Sequence, residues 1–395
     1  MKSKLLFFLF IIGFYSAKAQ YTAIPDVNFE TALINLGYDS GAIDHKVLTA
    51  NINTITSLSI YNGPGRVTIV DLTGIQDFIA LTVLRVKCDL TSLNVSGLKA
   101  LTSLDCSYSS GLASLNLSGL TALKSLSCDR TSLTSLDVSG LKTLTSLSCS
   151  STYSLTSLNV SGLTALASLN CSETNLTSLN LSGLTTLTSL NCGGCKLLTN
   201  LDVSGLRALQ SFNCSNCYSL TSLNVSDLKA LTSIDCSFCT SLKNLDVSGL
   251  TALKNLNCKN NQLTSLNLSG TTSLFYFQCV RNDSLACIQV DNVVAANAQT
   301  RWYKDRWASY STNCGLATSN PQETLHIVNM FPNPTKNLLH INLENEISGK
   351  ITDLTGKTLM KVNAKDIDVS PLKTVIYLLV ITSEGKQYTQ KIIKE

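Results

Sequence analysis

One period dominates the chain. A segment of the form L-x-x-L-x-C recurs with its cysteine at Cys106, Cys128, Cys149, Cys171, Cys192, Cys214, Cys236, Cys258 and Cys279, in steps of 21 or 22 residues, and Val86 fills the same column one coil earlier. A second segment, L-x-x-L-x-V/L, runs between these. Its column is Val95, Leu117, Val138, Val160, Leu181, Val203, Val225, Val247 and Leu268, each eleven residues before a cysteine. A single coil of this length cannot bury its own leucine stripe. About ten stacked coils, with neighbouring strands ~4.8 Å apart, bury a continuous interior. The Ser-Gly pairs after the second segments, such as Ser118-Gly119 and Ser139-Gly140, supply tight turns. Asp227 stands once for the glycine, in a tight or left-handed turn that tolerates it.

The cysteines raise a question of chemistry. Three Cys-x-x-C pairs, Cys192/Cys195, Cys214/Cys217 and Cys236/Cys239, fall one period apart. A zinc or iron–sulfur site needs ligands on loops that converge on one ion. These thiols instead occupy positions six and nine of successive coils, where both point inward among leucines. Cysteine is small and often fully buried, which suits a packed column. The spacing therefore reads as structural, and no metal or cofactor is expected. Disulfides between adjacent rungs are within Cα reach but must also fit a tight core, which disfavours them.

The stretch Leu253-Lys254-Asn255-Leu256-Asn257-Cys258-Lys259-Asn260-Asn261-Gln262-Leu263 resembles the leucine-rich repeat pattern L-x-x-L-x-L-x-x-N-x-L, and about half the chain repeats it. The resemblance implies a mainly β solenoid of 21–22-residue coils. It also implies a buried Asn, Cys or Thr at position nine that bonds turn backbone. Here that column holds Ser109, Thr131, Thr152, Thr174, Cys195, Cys217, Cys239 and Asn261; the second segments carry Leu120, Leu141 and Leu163 instead, so an apolar column is expected there.

A solenoid needs caps. Residues 24–37 read as an N-terminal capping helix, with Asp26 at its start, Phe29, Leu33 and Leu36 as its apolar stripe and Gly37 at its end. The run Asp71-Leu72-Thr73-Gly74-Ile75-Gln76-Asp77-Phe78-Ile79-Ala80-Leu81, and the segment 284–315 with Trp302 and Trp307, resemble the opening and closing segments of secreted bacterial leucine-rich repeat proteins. Both tryptophans are expected to cover the last coil. Cys287 and Cys314 lie outside the columns; in an exported chain they are the candidate disulfide, against two free thiols under the cap.

The ends speak to export. Lys2 and Lys4, an apolar run from Leu5 to Tyr15 and Ala17-Lys18-Ala19 read as a signal peptide over 1–19. That run is too short to span a bilayer, and no transmembrane segment is expected in the mature chain. After a small, polar linker at 316–326, residues 327–395 alternate apolar and polar in short runs, which indicates a small Ig-like β-sandwich. Phe331-Pro332-Asn333-Pro334, Asp353-Leu354-Thr355-Gly356-Lys357, Ile376-Tyr377-Leu378-Leu379-Val380-Ile381 and Lys391-Ile392-Ile393-Lys394 resemble the C-terminal sorting domain of the type IX secretion system of Bacteroidota. Val375 stands where that family usually has glycine. The resemblance implies engagement of the type IX machinery through 327–395 and, after Sec export and outer-membrane passage, a secreted or surface location. The expected layout is signal peptide 1–19, cap and first coils 20–85, solenoid 86–286, C-terminal cap 287–315, linker 316–326 and sorting domain 327–395.

Chemistry is sparse. Charged residues are 14% of the chain and the net charge of +4 is spread out, with no basic block for nucleic acid. His45, His326 and His340 all fall outside the repeats, and no metalloprotease, phosphate-loop or nucleophile-elbow motif occurs in its context. Asp137, Asp202 and Asp246 recur in a column otherwise held by Asn and read as solvated. Outward positions are mostly Thr, Ser and Asn, with Phe275 and Tyr276 as late aromatics and possible ligand contacts. The expected function is non-catalytic recognition or adhesion toward an extracellular protein or glycan. Two other readings are ice or surface binding by Thr/Ser rows and a secreted enzyme centred on Trp302, Lys304 and Asp305. Fold alone does not name a ligand.

Overall fold

The computed structural model describes residues 20–62, 68–314, 329–342, 346–354, 356–383 and 386–395. The expected signal peptide and linker, and His326, lie outside the described residues. The chain divides into two compact units, Met1–Leu316 and Ala317–Glu395.

The first unit is the solenoid. Its spine is a 12-stranded parallel sheet that starts at Ser57–Tyr61 and Val83–Lys87, continues through strands such as Ser103–Asp105 and Ser189–Asn191, and ends at Tyr276–Gln278 and Trp302–Tyr303. The sheet therefore extends into both segments expected to be caps. Most strands are three residues long because only three alternate before the chain turns: an inward Leu, Ile or Phe between two outward polar residues. Register follows the sequence period, with Leu104 opposite Leu126 and Leu190 opposite Phe212. The leucine and cysteine columns form one continuous buried core from Ile24 to Ala308.

The second face is less regular. Strands form at its two ends, at Ser92–Asn94 with Ser114–Asn116 and at Asn244–Asp246 through Ser309–Ser311. Between them stand isolated bridges such as Asp137 with Asn159. The Asn/Asp column here is more than solvated. Each Oδ1 accepts the amide of the serine two residues on, as in Ser139 N to Asp137 (3.0 Å), Ser204 N to Asp202 (3.0 Å) and Ser248 N to Asp246 (2.8 Å). These Asx turns set up the Ser-Gly corner that follows. Leu120, Leu141 and Leu163 are buried behind it.

Asp227 does not adopt a positive φ, so its corner closes without a left-handed residue. Most of the equivalent glycines, such as Gly119 and Gly162 at φ 80°, are left-handed, and a second left-handed column runs through position eight. Tyr108, Arg130, Ser151, Glu173, Gly194, Asn216, Phe238, Asn260 and Arg281 all have φ between 54° and 76°. This geometry aims each position-eight amide at the next coil, for example Tyr108 N to Asp129 O (2.8 Å) and Glu173 N to Gly193 O (2.7 Å). A left-handed non-glycine residue costs about 1–2 kcal/mol, and the inter-coil bonds offset it.

At the N-terminal end the helix Val27–Asn35 is capped by Asp26, whose side chain accepts from Asn28 N and Phe29 N. Its other carboxylate oxygen takes Val70 N and Asp71 N, which fastens the helix to the first coil. Phe29 and Leu33 are buried; Leu36 is the C-cap and is exposed, so the stripe is shorter than expected. Buried Glu30 is satisfied by Asp44 N and His45 N. Gly74 cannot carry a side chain, because a Cβ there would stand 2.5 Å from Ala23 O.

The second unit is a β-sandwich. One antiparallel sheet holds Asn329–Phe331, Leu338–Asn342 and Asp366–Asp368; the other holds Ser348–Thr352, Thr358–Val362, Ile376–Ser383 and Lys386–Ile393. Leu339, Ile341, Ile351, Tyr377, Leu379 and Ile392 meet in its core.

Candidate functional site

The cysteines come first, because their positions decide whether they are chemistry. Every thiol of the solenoid ladder is buried. The position-nine side chains form a second ladder that bonds the backbone of the coil before. Cys195 Sγ donates to Cys171 O at 3.2 Å, Cys217 Sγ to Cys192 O at 3.2 Å and Cys239 Sγ to Cys214 O at 3.1 Å. Thr152 makes the same bond to Cys128 O, and Asn261 Nδ2 reaches both Cys236 O (2.9 Å) and Cys258 O (3.0 Å). Each sulfur is thus occupied along the stack rather than turned toward a common centre. Burial pushes Cys106 and Cys279 up to about 12 and raises Cys128, Cys236 and Cys258 well above the usual thiol range. Side-chain hydrogen bonding between the Cys171 and Cys195 thiols, distinct from the donation to Cys171 O, draws Cys195 down to about 7 and pushes Cys171 well up. Neither sulfur reaches solvent.

Two members of this ladder were not anticipated. Cys88 stands two rather than three residues after Val86, yet its Sγ donates to Ile60 O and its amide donates to Ser109 Oγ. Asn282 follows the last ladder cysteine, and its Nδ2 bonds Cys258 O and Cys279 O. The spacing from Cys279 to Asn282 repeats that from Cys258 to Asn261, so the sequence carries the signal even where the leucine motif gives way to the cap.

At the C-terminal end, Cys287 and Cys314 are disulfide-bonded across 27 residues. Trp302 packs edge-on against Phe277 (5.6 Å) and Tyr310 (6.1 Å) and closes the last coil. Trp307 does not share this role; it is exposed. Phe275 is exposed with the Arg301 guanidinium 4.1 Å over its ring, and Tyr276 lies beside Tyr303 with its hydroxyl on Gln278. Asp305 accepts Arg281 N and Asn282 N, and Lys304 bonds Ala308 O. Lys304 and Asp305 thus fasten the end of the solenoid.

Exposed aromatics are not confined to that end. Tyr108, Tyr153, Tyr218 and Phe238 stand along positions eight and ten of the coils. Between Tyr153 and Tyr218 the wall falls away, because positions seven and eight of one coil are Gly193 and Gly194. A hollow of ≈ 370 Å³ results, with the two tyrosines, Glu173, Asn191, Asn213 and Lys196 among its lining. A Cβ on Gly193 would meet Ser215 Oγ at 3.1 Å and the Asn213 amide at 3.2 Å; one on Gly194 would meet Glu173 Cγ at 3.0 Å.

The threonine rows bear on surface binding. Thr102, Thr145, Thr188 and Thr232 give their hydroxyls to the backbone carbonyls of Thr82, Lys124, Ala167 and Gln210. Lys124, Ala167, Gln210 and Lys254 interrupt that same column, so it forms no unbroken threonine array.

In the second unit, Asn333 ties the Pro332-Asn333-Pro334 corner to the last strand: its Nδ2 donates to Lys391 O (2.8 Å) and its Oδ1 accepts Ile393 N (2.8 Å). Gly356, at φ 89°, turns the loop closed by Asp353 N to Lys357 O. Val375 bonds Lys394 N through its carbonyl without a positive φ, so valine serves where the family usually has glycine.

Comparison with known proteins places both units. The functional domain of InlJ from Listeria monocytogenes, described as including a cysteine ladder, aligns with a TM-score of 0.52 at 24% identity over 96% of this chain and 100% of that one. An internalin, InlF, from Listeria monocytogenes aligns at 17% identity over 78% of this chain and 96% of that one, with a TM-score of 0.47. A search of the curated proteins finds no match. The first unit is a leucine-rich repeat solenoid. Residues 329–395 match the family described as the secretion system C-terminal sorting domain, so the chain is a leucine-rich repeat protein with a type IX sorting tail, exported to the cell surface or released. No helix among the described residues is long and apolar enough to cross a membrane.

Proposed function

We propose that this chain is a non-catalytic recognition or adhesion protein, which binds an extracellular protein or glycan through the outward side of its 12-stranded sheet while the tail directs its export. In this reading the cap and first coils up to residue 85 and the segment 287–315 close the solenoid 86–286, and the tail 327–395 engages the secretion machinery. The observation that carries the reading is the line of exposed aromatics along one edge of the sheet, Tyr108, Tyr153, Tyr218 and Phe238, with Phe275 on the other edge, set among rows of uncharged hydroxyls and amides. Tyrosine and phenylalanine offer large contact area at small entropic cost and concentrate at recognition surfaces. Their backbone is held rigid by the inter-coil bonds, so little order is lost on binding. The test is to present the exported chain to panels of surface proteins and glycans, beside a variant with Tyr108, Tyr218 and Phe275 replaced by Ala. Binding by the wild type that the triple variant loses is expected; a wild type that binds nothing on either panel contradicts the reading.

A further inference from the structure

We propose that the hollow at Gly193 and Gly194 is a saccharide subsite that seats a neutral sugar unit between Tyr153 and Tyr218. The inference rests on the recognition reading above and names its ligand class. Its starting point is an irregularity. Serine fills position seven in the neighbouring coils (Ser172 and Ser215), and position eight carries Glu173 and Asn216, but this coil has glycine at both. The stack would accept serine at 193 with a shift of a few tenths of an ångström, since its Cβ would stand 3.1–3.2 Å from Ser215 and Asn213. What glycine does there is leave the amides of the position-five column uncovered.

The nitrogen ends of those amides are not spent on the fold. Elsewhere in the column Asn170 Nδ2 donates to Ser148 Oγ and Asn257 Nδ2 to Asp235 Oδ2. In the hollow, Asn191 Oδ1 accepts Gly193 N and Asn213 Oδ1 accepts Ser215 N, which fixes both side chains. Among the described residues neither Nδ2 has a protein partner. Two oriented donors therefore face the space, with acceptor capacity left on the Glu173 carboxylate. That carboxylate is itself held by Ser151 Oγ (2.9 Å) and Tyr153 OH (3.1 Å). The same bond fixes the Tyr153 ring, whose main-chain oxygen is held by Asn175 Nδ2 at 2.7 Å.

The geometry suits a sugar ring. Tyr153 and Tyr218 hold position ten three coils apart, so roughly 14 Å of stacked strand separates them at ~4.8 Å per strand. Aromatic faces are negative and attract the slightly positive C–H faces of a pyranose. Paired amides and a carboxylate match hydroxyls, which both donate and accept. The volume of ≈ 370 Å³ lies in the range of small-ligand sites. Glu173 and Lys196 offset one another in formal charge, which favours a neutral ligand over an anionic one.

The test uses the full exported chain on an array of immobilised neutral hexose and N-acetylhexosamine oligosaccharides, with sialylated and sulfated glycans and a Lys-rich peptide as further arms. Gly193→Ser fills the hollow with the residue its neighbours carry, and Tyr218→Ala removes one wall; both are checked for unchanged thermal unfolding. Binding to a neutral oligosaccharide that weakens about tenfold or more in each folded variant is the expected result. Three results overturn the subsite. Saccharide binding untouched by either variant places recognition elsewhere on the sheet. Binding only to protein, or to the Lys-rich peptide with loss in Glu173→Gln, leaves recognition standing with another ligand class. A chain that binds nothing on the array or among surface proteins removes the recognition reading as well.

Discussion

Replacing Asn261 by Leu separates the polar ladder from the apolar core that surrounds it. The two side chains are close in size, so packing changes little. Three buried hydrogen bonds are lost: Nδ2 to Cys236 O (2.9 Å), Nδ2 to Cys258 O (3.0 Å) and Cys239 N to Oδ1 (2.6 Å). Cys236 O and Cys239 N are left in a dry interior without a partner, at about 1–3 kcal/mol each, while Cys258 O keeps Asn282 Nδ2. Partial relaxation and the added apolar contact reduce the sum, so the loss is about 2–4 kcal/mol. Urea unfolding of the exported chain reads the global effect, and hydrogen exchange at the Cys239 amide reads the local one. Because a solenoid unfolds in neighbouring blocks, the exchange measurement is the sharper of the two. A stability loss under about 1 kcal/mol together with full protection at Cys239 would refute the idea that position nine fastens coil to coil.

Three further outcomes follow from the same geometry. Phe238→Gly relieves a left-handed residue (φ 59°) at the expense of a ring covered by Lys259, and it is expected to leave stability unchanged or raise it by up to ~1 kcal/mol in thermal unfolding, where Phe238→Val loses ~1 kcal/mol or more. Cys287→Ser with Cys314→Ser frees a loop of 27 residues' separation and should cost about 3–4 kcal/mol by chain entropy, read as early loss of exchange protection in the strand Ser309–Ser311. The serine bonds at Asp137 and Asp202 hold both carboxyls below 3.8, so the unfolded chain takes up protons first as pH falls. Their contribution is complete above 3.8 and disappears as pH falls through the lowered values; acid unfolding of Asp137→Asn should show a shallower pH dependence in that window.

Much of the solenoid was readable because its period is physical: every 21–22 residues a side chain must meet its equivalent one strand away. The inward cysteines followed from that spacing alone. Cys88 escaped because the chain there is one residue out of step, and Asn282 because the surrounding motif had dissolved into the cap. The left-handed column at position eight was invisible, since its nine positions hold Tyr, Arg, Ser, Glu, Gly, Asn and Phe, and hydrogen bonding to the next coil rather than residue type selects the conformation. Hydrophobicity favours Trp307 and Leu36 as interior residues, but Leu36 sits just past the last helical turn and Trp307 in the turn between Trp302–Tyr303 and Ser309–Ser311, where each is exposed. The aromatics on the sheet's edge, Tyr108, Tyr153 and Tyr218, look scattered in sequence and converge only when coils stack. The glycine pair in the run 191–195 is plain in the sequence, but its meaning depends on what its neighbours leave uncovered.

The account turns on whether the ladder sulfurs lie in a closed interior. Alkylation of the native chain followed by mass spectrometry addresses this directly. With 13 free cysteines all buried, brief treatment with iodoacetamide should label none of them and denaturant should release all 13. Prompt labelling of Cys192, Cys214 or Cys236 in the native chain, or stoichiometric zinc or iron lost together with that protection, would show that these thiols serve a site rather than a core.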